Sequence, residues 1–226
     1  MLVELGLLPV AYLLGSIPTG YIAGRLAGID IREHGSGSTG ATNVWRCVGK
    51  SAGITVFAID LLKGTLAVWL MQHSGDINTL IQPLLSNNAQ TELPGPLFGL
   101  AQEWFVVATA MLVLIGHSRS CWIGFKGGKS VATGLGILVG INWIVALGAF
   151  SLWLATMAIW RTVSISSIIA AIAVPILMFI TQSPVEYLLL TCVGGLFVIW
   201  RHRSNIERIL QGTEPRISDR PPVEQE

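Results

Sequence analysis

Long apolar segments dominate this chain and restrict what it can fold into. They lie near residues 3–25, 52–72, 97–116, 131–159, 164–182 and 185–200. Most of them reach the ~20 residues that a helix needs to cross the hydrocarbon of a bilayer. Of the 226 residues, 52% are hydrophobic and only 12% are charged, against a usual charged share of about 25%. The sequence therefore predicts an all-α polytopic membrane protein.

The basic residues predict how these segments are oriented. Of the 14 Lys and Arg residues, only Lys63 lies inside an apolar segment. The connections at residues 72–103 and 183–186 contain neither Lys nor Arg. Because positively charged loops stay in the cytoplasm, we expect these two connections outside the cell and every basic loop inside.

The apolar segment between Lys129 and Arg161 has a basic residue at each end. It must therefore cross the membrane an even number of times. A turn at residues 140–142 would split it into two helices of about 20 Å each, shorter than the ~30 Å hydrocarbon core, so we expect them to pack on other helices. The total is then seven short transmembrane helices, with the N-terminus outside and the C-terminus in the cytoplasm.

The ends of the chain and its longest external connection complete this organisation. The first apolar segment follows no charged region and precedes no cleavage site, so we expect it to remain a membrane span. Residues 1–212 are predicted to form a single integral-membrane domain, and residues 73–96 a polar external loop. Residues 213–226 have the composition of a disordered cytoplasmic tail.

A glycine-rich stretch, residues 34–50, joins the first two apolar segments and is predicted to be a loop. Its glycines allow close approach to a ligand, and Arg46 adds a charged fork suited to phosphate or carboxylate. Its short polar side chains are Ser36, Ser38, Thr39, Thr42 and Asn43. Backbone N–H groups in such a run can form an anion-binding nest, although Gly/Ser stretches also serve as flexible linkers. The order of its small polar residues favours the anion site.

The second basic loop ends in the residues Gly127-Gly128-Lys129-Ser130, which are similar to the end of a nucleotide-binding phosphate loop. The full motif is not present, because Ile123 stands where that motif needs glycine and no strand precedes it. A lysine at the start of a membrane helix still offers an ammonium, free N–H groups and the positive end of the helix dipole to a phosphate. The alternative is that Lys126 and Lys129 only anchor the helix at lipid headgroups.

Two further stretches face the cytoplasm in this topology. Residues 161–167 begin a helix with several hydroxyl side chains, which commonly cap a helix or bond its carbonyls. Near the last span, His202 and Asn205 are three residues apart and share a helix face, although basic residues there also suit anionic lipid.

Inside the second apolar segment Asp60 and Lys63 are three apart, and we expect them to neutralise each other.

Together the four cytoplasmic stretches predict a site for a phosphorylated substrate at the membrane surface. The sequence shows no carboxylate pair, metal-ligand cluster or Ser-His-Asp order, so we expect neither metal nor cofactor and catalysis by positioning and electrostatic stabilisation. The three cysteines lack ligand spacing and are expected to be reduced. Membrane lipids are expected partners, and nucleic acid is not.

Four motifs carry a family resemblance. The strings GSGSTGATNVWR, GFKGGKSVATGLG, VSISSI and RHRSNI, in this order between seven short spans, resemble those of the bacterial membrane acyl-phosphate:glycerol-3-phosphate acyltransferases. The resemblance covers about residues 8–212. It implies transfer of a fatty acyl group from acyl phosphate to the sn-1 hydroxyl of glycerol 3-phosphate, which gives lysophosphatidate and phosphate in phospholipid biosynthesis. It also implies a bacterial inner-membrane protein whose active site faces the cytoplasm.

The same resemblance implies roles for individual residues. Those carried over as catalytic are Ser36, Arg46, Lys129 and His202. Those carried over as substrate-binding are Gly37, Ser38, Gly40, Thr42, Asn43, Ser167 and Asn205. The residues of the first loop before Arg46 would bind the acyl phosphate, and the others would bind glycerol 3-phosphate.

Three positions depart from the family pattern. Ser38 replaces a usual Asn, Ser120 a common Pro and Ser130 a usual Gly, which bears on substrate preference more than on the reaction.

The acyl phosphate donor is a mixed anhydride and is already activated, so the enzyme needs no covalent nucleophile. Either His202 or the donor's own phosphate could accept the hydroxyl proton, and the sequence leaves both open.

A transporter or channel for a phosphorylated solute is the alternative function. It would need accessible polar groups on both sides of the membrane, and usually a repeated architecture. The external connections here lack Lys and Arg, and no internal repeat is evident. The sequence therefore favours the acyltransferase.

Overall fold

The structure, a computed structural model, describes residues 2–85 and 95–219. The prediction of an all-α fold is confirmed: in these ranges the only β pairing is an isolated bridge between Ser120 and Lys126. The α-helices are α1 (Leu2–Ser16), α2 (Thr19–Leu26), α3 (Ala41–Cys47), α4 (Lys50–Gln72), α5 (Ser74–Leu85), α6 (Gly95–Ser118), α7 (Val131–Ile141), α8 (Trp143–Trp160), α9 (Val163–Ile180), α10 (Val185–Arg201) and α11 (Arg203–Leu210). A short 3₁₀ turn covers Cys121–Ile123.

Several of these helices have the length and composition of membrane spans. Within the described residues, four candidates are Val3–Leu26, α4, α8 and α9, and the pair α10 and α11, bent by 57°, makes a fifth. The first candidate contains the break between α1 and α2, where Pro18 has no N–H to continue the helix. The 24-residue α6 is about 36 Å long.

The predicted break in the apolar segment 131–159 lies at Asn142. Its side-chain oxygen accepts the N–H groups of Ile144 at 3.1 Å and Val145 at 3.2 Å, so Asn142 caps α8. The predicted position of the turn is therefore confirmed. The expectation of two equal halves is wrong, because α7 has 11 residues and α8 has 18, or about 16 Å and 27 Å.

The short helix α7 packs against α4, as expected for a helix too short to cross the membrane alone. A Cβ atom at Gly64 of α4 would overlap the Thr133 carbonyl, and one at Gly136 of α7 would overlap the Leu61 carbonyl. Thr65 also donates a hydrogen bond of 2.8 Å to the Gly136 carbonyl. Small residues let membrane helices approach in this way, and the contact holds the N-terminus of α7 in place.

Other close pairs are α1 with α6, α8 with α9, and α9 with α10. The largest apolar cluster lies between these helices and includes Val68, Val113 and Met178. Lys63 and Asp60, both buried on α4, form an ion pair of 2.8 Å, which confirms that the two charges neutralise each other.

Two segments that the composition described as irregular have defined structure in part. In the expected external loop 73–96, Ser74–Leu85 forms α5, whose apolar residues recur at helical spacing; residues 86–94 lie outside the described ranges. A disordered tail was expected from residue 213. Instead, Glu214 accepts the Ser164 hydroxyl at 2.7 Å, and the Ile217 N–H donates to the Arg161 carbonyl at 2.9 Å. Residues 220–226 lie outside the described ranges.

Candidate active site

A cavity of about 630 Å³ opens where α3 and α11 meet the first turns of α4, α7 and α9 and the last turns of α8 and α10. Charged and polar side chains line its mouth. Further into the bundle the lining becomes apolar, with residues such as Leu138, Val174 and Leu190. A cavity of this kind suits an amphipathic ligand whose head is charged and whose tail is hydrocarbon.

The cavity brings together nearly all of the residues that the sequence analysis selected. The ones that line it are Ser36, Ser38, Gly40, Thr42, Asn43, Arg46, Lys129, Ser167, His202 and Asn205. Gly37 is the exception. Its φ of +67° places it in the left-handed region, where glycine is favoured, so its contribution is to the turn of the loop.

Asn43 organises the glycine-rich loop from within. It is 2% exposed, and its Oδ1 accepts the Ser36 N–H at 2.9 Å. Its Nδ2 lies 3.2 Å from the Ile31 carbonyl, 3.0 Å from the His34 carbonyl and 2.9 Å from the Ser38 carbonyl. Because the amide is already engaged by the loop, Asn43 holds the loop in shape and presents its neighbours to the cavity.

Arg46 brings a partly unsatisfied charge to the cavity. Its Nη2 donates to the carbonyls of Pro215 at 2.9 Å and Arg216 at 3.0 Å. Its Nε is buried and has no hydrogen-bond partner among the described residues. A buried donor without a partner is costly, and an anion in the cavity would satisfy it.

Lys129 heads a chain of polar contacts across the cavity mouth. Its ammonium donates to Asn205 Oδ1 at 2.6 Å, and Asn205 Nδ2 donates to Glu214 Oε1 at 2.6 Å. Glu214 also accepts from Arg208 at 2.7 Å. Burial is the largest influence on Lys129 and lowers its pKa to about 8. Lys126, in contrast, is exposed.

The turn before Lys129 is held by residues from other parts of the chain. The Gly128 N–H donates to the His117 carbonyl at 3.1 Å. The expectation that this N–H is free for a ligand is therefore wrong. The Gly128 carbonyl accepts from Arg201 Nη2 at 3.0 Å and from the Ser118 hydroxyl at 3.2 Å. The N–H groups available to the cavity are those at the start of α7, where Val131 and Ala132 line it.

Ser130 adopts a backbone conformation that explains why glycine is usual at this position of the family motif. Its φ is +63°, which costs a non-glycine residue free energy. Its hydroxyl donates to the Leu114 carbonyl at 2.9 Å and lies 2.8 Å from the Ser118 hydroxyl. These two contacts offset the cost in this chain.

His202 is 2% exposed, and its Nδ1 lies 2.8 Å from the Val198 carbonyl. A carbonyl only accepts hydrogen bonds, so Nδ1 carries the proton and Nε2 is the acceptor of the neutral ring. Burial, followed by the nearby charge of Lys129, lowers the pKa of His202 to about 4. The ring is therefore neutral at physiological pH and can accept a hydrogen bond from a ligand.

The family follows from a comparison of the sequence with known protein families. Residues 5–212 match the family model described as glycerol-3-phosphate acyltransferase. The chain belongs to the glycerol-3-phosphate acyltransferase family.

Individual relatives of this acyltransferase are similar along nearly their whole length. A glycerol-3-phosphate acyltransferase of Trichormus variabilis is 50% identical over 218 residues, which is 96% of this chain and 93% of the relative. One of Nostoc is 51% identical over 212 residues, 93% of this chain and 90% of the relative. Crystal structures of PlsY (YgiH), an integral membrane glycerol 3-phosphate acyltransferase, match with TM-scores of 0.80 in its glycerol 3-phosphate form and 0.78 in its lysophosphatidic acid form. These two structures are 38% and 37% identical to this chain, and each match covers 94% of both chains.

The acyltransferase is thus an integral membrane enzyme of phospholipid biosynthesis that uses glycerol 3-phosphate, as the motifs implied. The relatives support no transporter, which was the alternative function. Three residues that contact its site were not among those predicted from the sequence. Trp153 donates to the Ser167 hydroxyl at 3.2 Å, while Glu214 and Arg201 hold the cavity mouth and the glycine turn. Only Arg201 lay within a selected motif, and no pattern in the sequence marked the other two.

Proposed function

We propose that this acyltransferase moves a fatty acyl group from acyl phosphate to the sn-1 hydroxyl of glycerol 3-phosphate, giving lysophosphatidate and inorganic phosphate. The observation that carries the proposal is a single cavity that has two cationic side chains at its mouth and apolar side chains along its deeper part. Arg46 offers a buried Nε without a partner among the described residues, and Lys129 offers a half-buried ammonium. Charge-assisted contacts of this kind bind phosphate strongly.

Each substrate has a separate part of the cavity. The phosphate of the donor lies at the glycine-rich loop, against Ser36, Ser38 and Thr42, and its acyl chain extends along the apolar lining. The phosphate of glycerol 3-phosphate lies between Arg46 and Lys129, with the amide of Asn205 and the hydroxyl of Ser167 near its glycerol. This arrangement directs the acceptor hydroxyl toward the acyl carbon.

The reaction needs one bond to form and one to break. The sn-1 oxygen attacks the acyl carbonyl carbon, the bond between that carbon and the phosphate oxygen breaks, and phosphate leaves with its electron pair. The hydroxyl proton passes to the departing phosphate, which becomes more basic as its bond to the acyl carbon breaks, whereas His202, with a pKa of about 4, is a weak base. His202 orients the hydroxyl through its Nε2, and the donors of the first loop stabilise the charge that develops on the phosphate. The described residues include no group of His, Cys, Asp and Glu that could hold a metal, and this route uses neither metal nor cofactor.

The membrane arrangement of the proposal has seven spans. They are the pair α1 and α2, then α4, α6, α7, α8, α9 and α10, with the N-terminus outside and the cavity facing the cytoplasm of a bacterial inner membrane. The positions of Lys and Arg support this orientation. Residues 1–212 form the membrane domain, and the cytoplasmic tail that follows contributes Glu214 to the site.

Labelling tests the orientation. In a variant whose native cysteines are replaced, a cysteine at exposed Gln182 should react with an impermeant reagent in intact cells, and one at exposed Ser218 should not. The opposite pattern would invert the topology.

Kinetics test the proposed reaction. Purified enzyme in detergent is given labelled glycerol 3-phosphate and either palmitoyl phosphate or palmitoyl-CoA, and the product is identified as 1-acyl lysophosphatidate. We expect product with palmitoyl phosphate. Product only with palmitoyl-CoA would reject the donor assignment.

Two variants then test the two binding regions. Ser36→Ala should raise the KM for acyl phosphate, and Arg46→Ala should chiefly raise the KM for glycerol 3-phosphate, each by about tenfold or more. Equal effects of both changes on both substrates would contradict the separate sites. Normal elution of each variant as folded protein is the control.

A further inference from the structure

Asp60 is a buried carboxylate that has no part in the proposed chemistry. It lies in α4 and is 1% exposed. Its Oδ1 accepts the Thr19 hydroxyl at 2.7 Å. The ammonium of Lys63 lies 2.8 Å from the same oxygen, and Nδ1 of His117 lies 3.5 Å from it. Helices α2, α4 and α6 therefore meet at one carboxylate oxygen.

The Thr19 partner of Asp60 is next to the glycine-rich loop. Gly20, the following residue of α2, lies so close to the loop that a Cβ there would overlap the Thr39 carbonyl. Thr39 is itself 5% exposed. The hydrogen bond from Thr19 to Asp60 thus fixes the end of α2 on which the first loop rests.

The His117 partner of Asp60 is next to the second loop. Its carbonyl accepts the Gly128 N–H at 3.1 Å, and its ring fills the space where a Cβ of Gly128 would lie. A narrow gap between the two loops is lined by Thr19, Thr39, His117 and Gly127. Two of the three partners of Asp60, Thr19 and His117, therefore lie between the loops.

Charges are costly to bury inside a membrane, and the ion pair of Asp60 and Lys63 lies within α4 and joins no helices. Removing two charges from water costs about as much as their attraction returns, so a buried ion pair is a weak source of stability. The Asp60 oxygen of α4 does, however, accept a hydrogen bond from α2 and lies 3.5 Å from His117 Nδ1 of α6, so it links the three helices at one point. Because Asp60 lies between the two substrate loops, its contacts bear on the distance between those loops.

We propose that Asp60 is a positioning residue that sets the separation of the two substrate loops, through Thr19 for the first loop and through His117 for the second. The proposal rests on the proposed function, in which the first loop binds acyl phosphate and the second binds glycerol 3-phosphate. It predicts that Thr19 and His117, which contact the same carboxylate, affect different substrates.

The test measures KM for each substrate in two single variants. Thr19→Val removes one hydrogen bond and should raise the KM for acyl phosphate about fivefold, with the KM for glycerol 3-phosphate changed less than about twofold. His117→Leu should show the converse pattern. The double variant Asp60→Asn/Lys63→Met, which removes both charges together, should raise both KM values and lower kcat. Asp76→Asn, an exposed carboxylate change in α5, is the matched control and should alter neither.

Conservative variants separate positioning from folding. Thr19→Ser keeps the hydroxyl, and His117→Asn places an amide N–H near the position of Nδ1. The KM values of both variants should therefore stay close to those of the wild type. Equal changes of both KM values in each single variant, no change in either, or a single variant that fails to fold would overturn the proposal. Wild-type enzyme that prefers another acyl donor would reject the proposed function instead, and the KM patterns would then be measured with that donor.

Discussion

The two loops at the cavity mouth are built in different ways. The first loop is held from within, because the Asn43 amide lies within hydrogen-bond distance of four backbone groups, all within 12 residues of it. The turn of the second loop at Gly128 is held by several groups instead: the His117 carbonyl and Ser118 hydroxyl at the end of the preceding helix, and Arg201, which is 73 residues away. A loop held chiefly by one side chain should depend on that side chain, whereas a turn held by several groups should tolerate the loss of one of them. Lys129, the cation that the second loop presents, has no second group in that loop to replace it.

Lys129 gives the largest expected effect and is the strongest test of the second turn as an anion site. Lys129→Met should lower kcat/KM by about a hundredfold or more, about 2.7 kcal/mol, because it removes a charge-assisted phosphate contact. Lys126→Met, in the exposed part of the same loop, is the control and should cost less than about tenfold, under roughly 1.4 kcal/mol. Lys129→Arg should also be poor, since a planar fork does not replace a compact charge. Near-normal turnover of Lys129→Met in purified, folded enzyme would show that the turn only anchors a helix.

Asn43 gives the next largest effect and tests whether one side chain holds the first loop. Asn43→Ala should raise the KM for acyl phosphate about thirtyfold, since it leaves several buried backbone groups unpaired at a cost of about 2 kcal/mol. Asn43→Asp should be similarly poor, because a carboxylate accepts from Ser36 but cannot donate to the carbonyls. Asn78→Ala, in an exposed part of α5, serves as the control. A normal KM in Asn43→Asp would mean that the donated bonds are dispensable.

The pH profile sharpens the comparison, because the second loop contributes a half-buried lysine with a pKa of about 8. Lys129 is charged below its pKa of about 8 and loses its proton as the pH rises through that value. The charged form binds phosphate, so kcat/KM for glycerol 3-phosphate should fall about tenfold for each pH unit above 8. The alkaline limb should be absent in Lys129→Arg, whose guanidinium stays charged. A profile in Lys129→Arg that matches the wild type would assign the limb to another group.

Arg201 gives the smallest expected effect and tests the shared support of the second turn. Arg201→Lys keeps the charge but loses the fork that reaches the carbonyls of Gly127 and Gly128. Because the His117 carbonyl and the Ser118 hydroxyl still hold the turn, the KM for glycerol 3-phosphate should rise only about threefold. A rise as large as that of Asn43→Ala would show that the second turn also depends on one residue.

Much of the architecture could be predicted from the sequence because it depends on the order of residues along the chain. Apolar segments of membrane length, the basic loops and the break near Asn142 all follow from local composition and charge. The first loop belongs with them, since Asn43 and its partners are close in sequence. The family motifs selected residues that, apart from Gly37, line one cavity.

The tertiary structure decided the contacts whose members lie far apart in the chain. Asp60 was expected to pair with Lys63, three residues away, but its contacts with Thr19 and His117 depend on how α2, α4 and α6 pack. Glu214 lies in a segment whose composition indicated disorder, and its bonds to Ser164 and Asn205 exist only because three helix ends converge beside it. Spacing along one helix determines neighbours within that helix, whereas contacts between helices depend on packing that no local pattern contains.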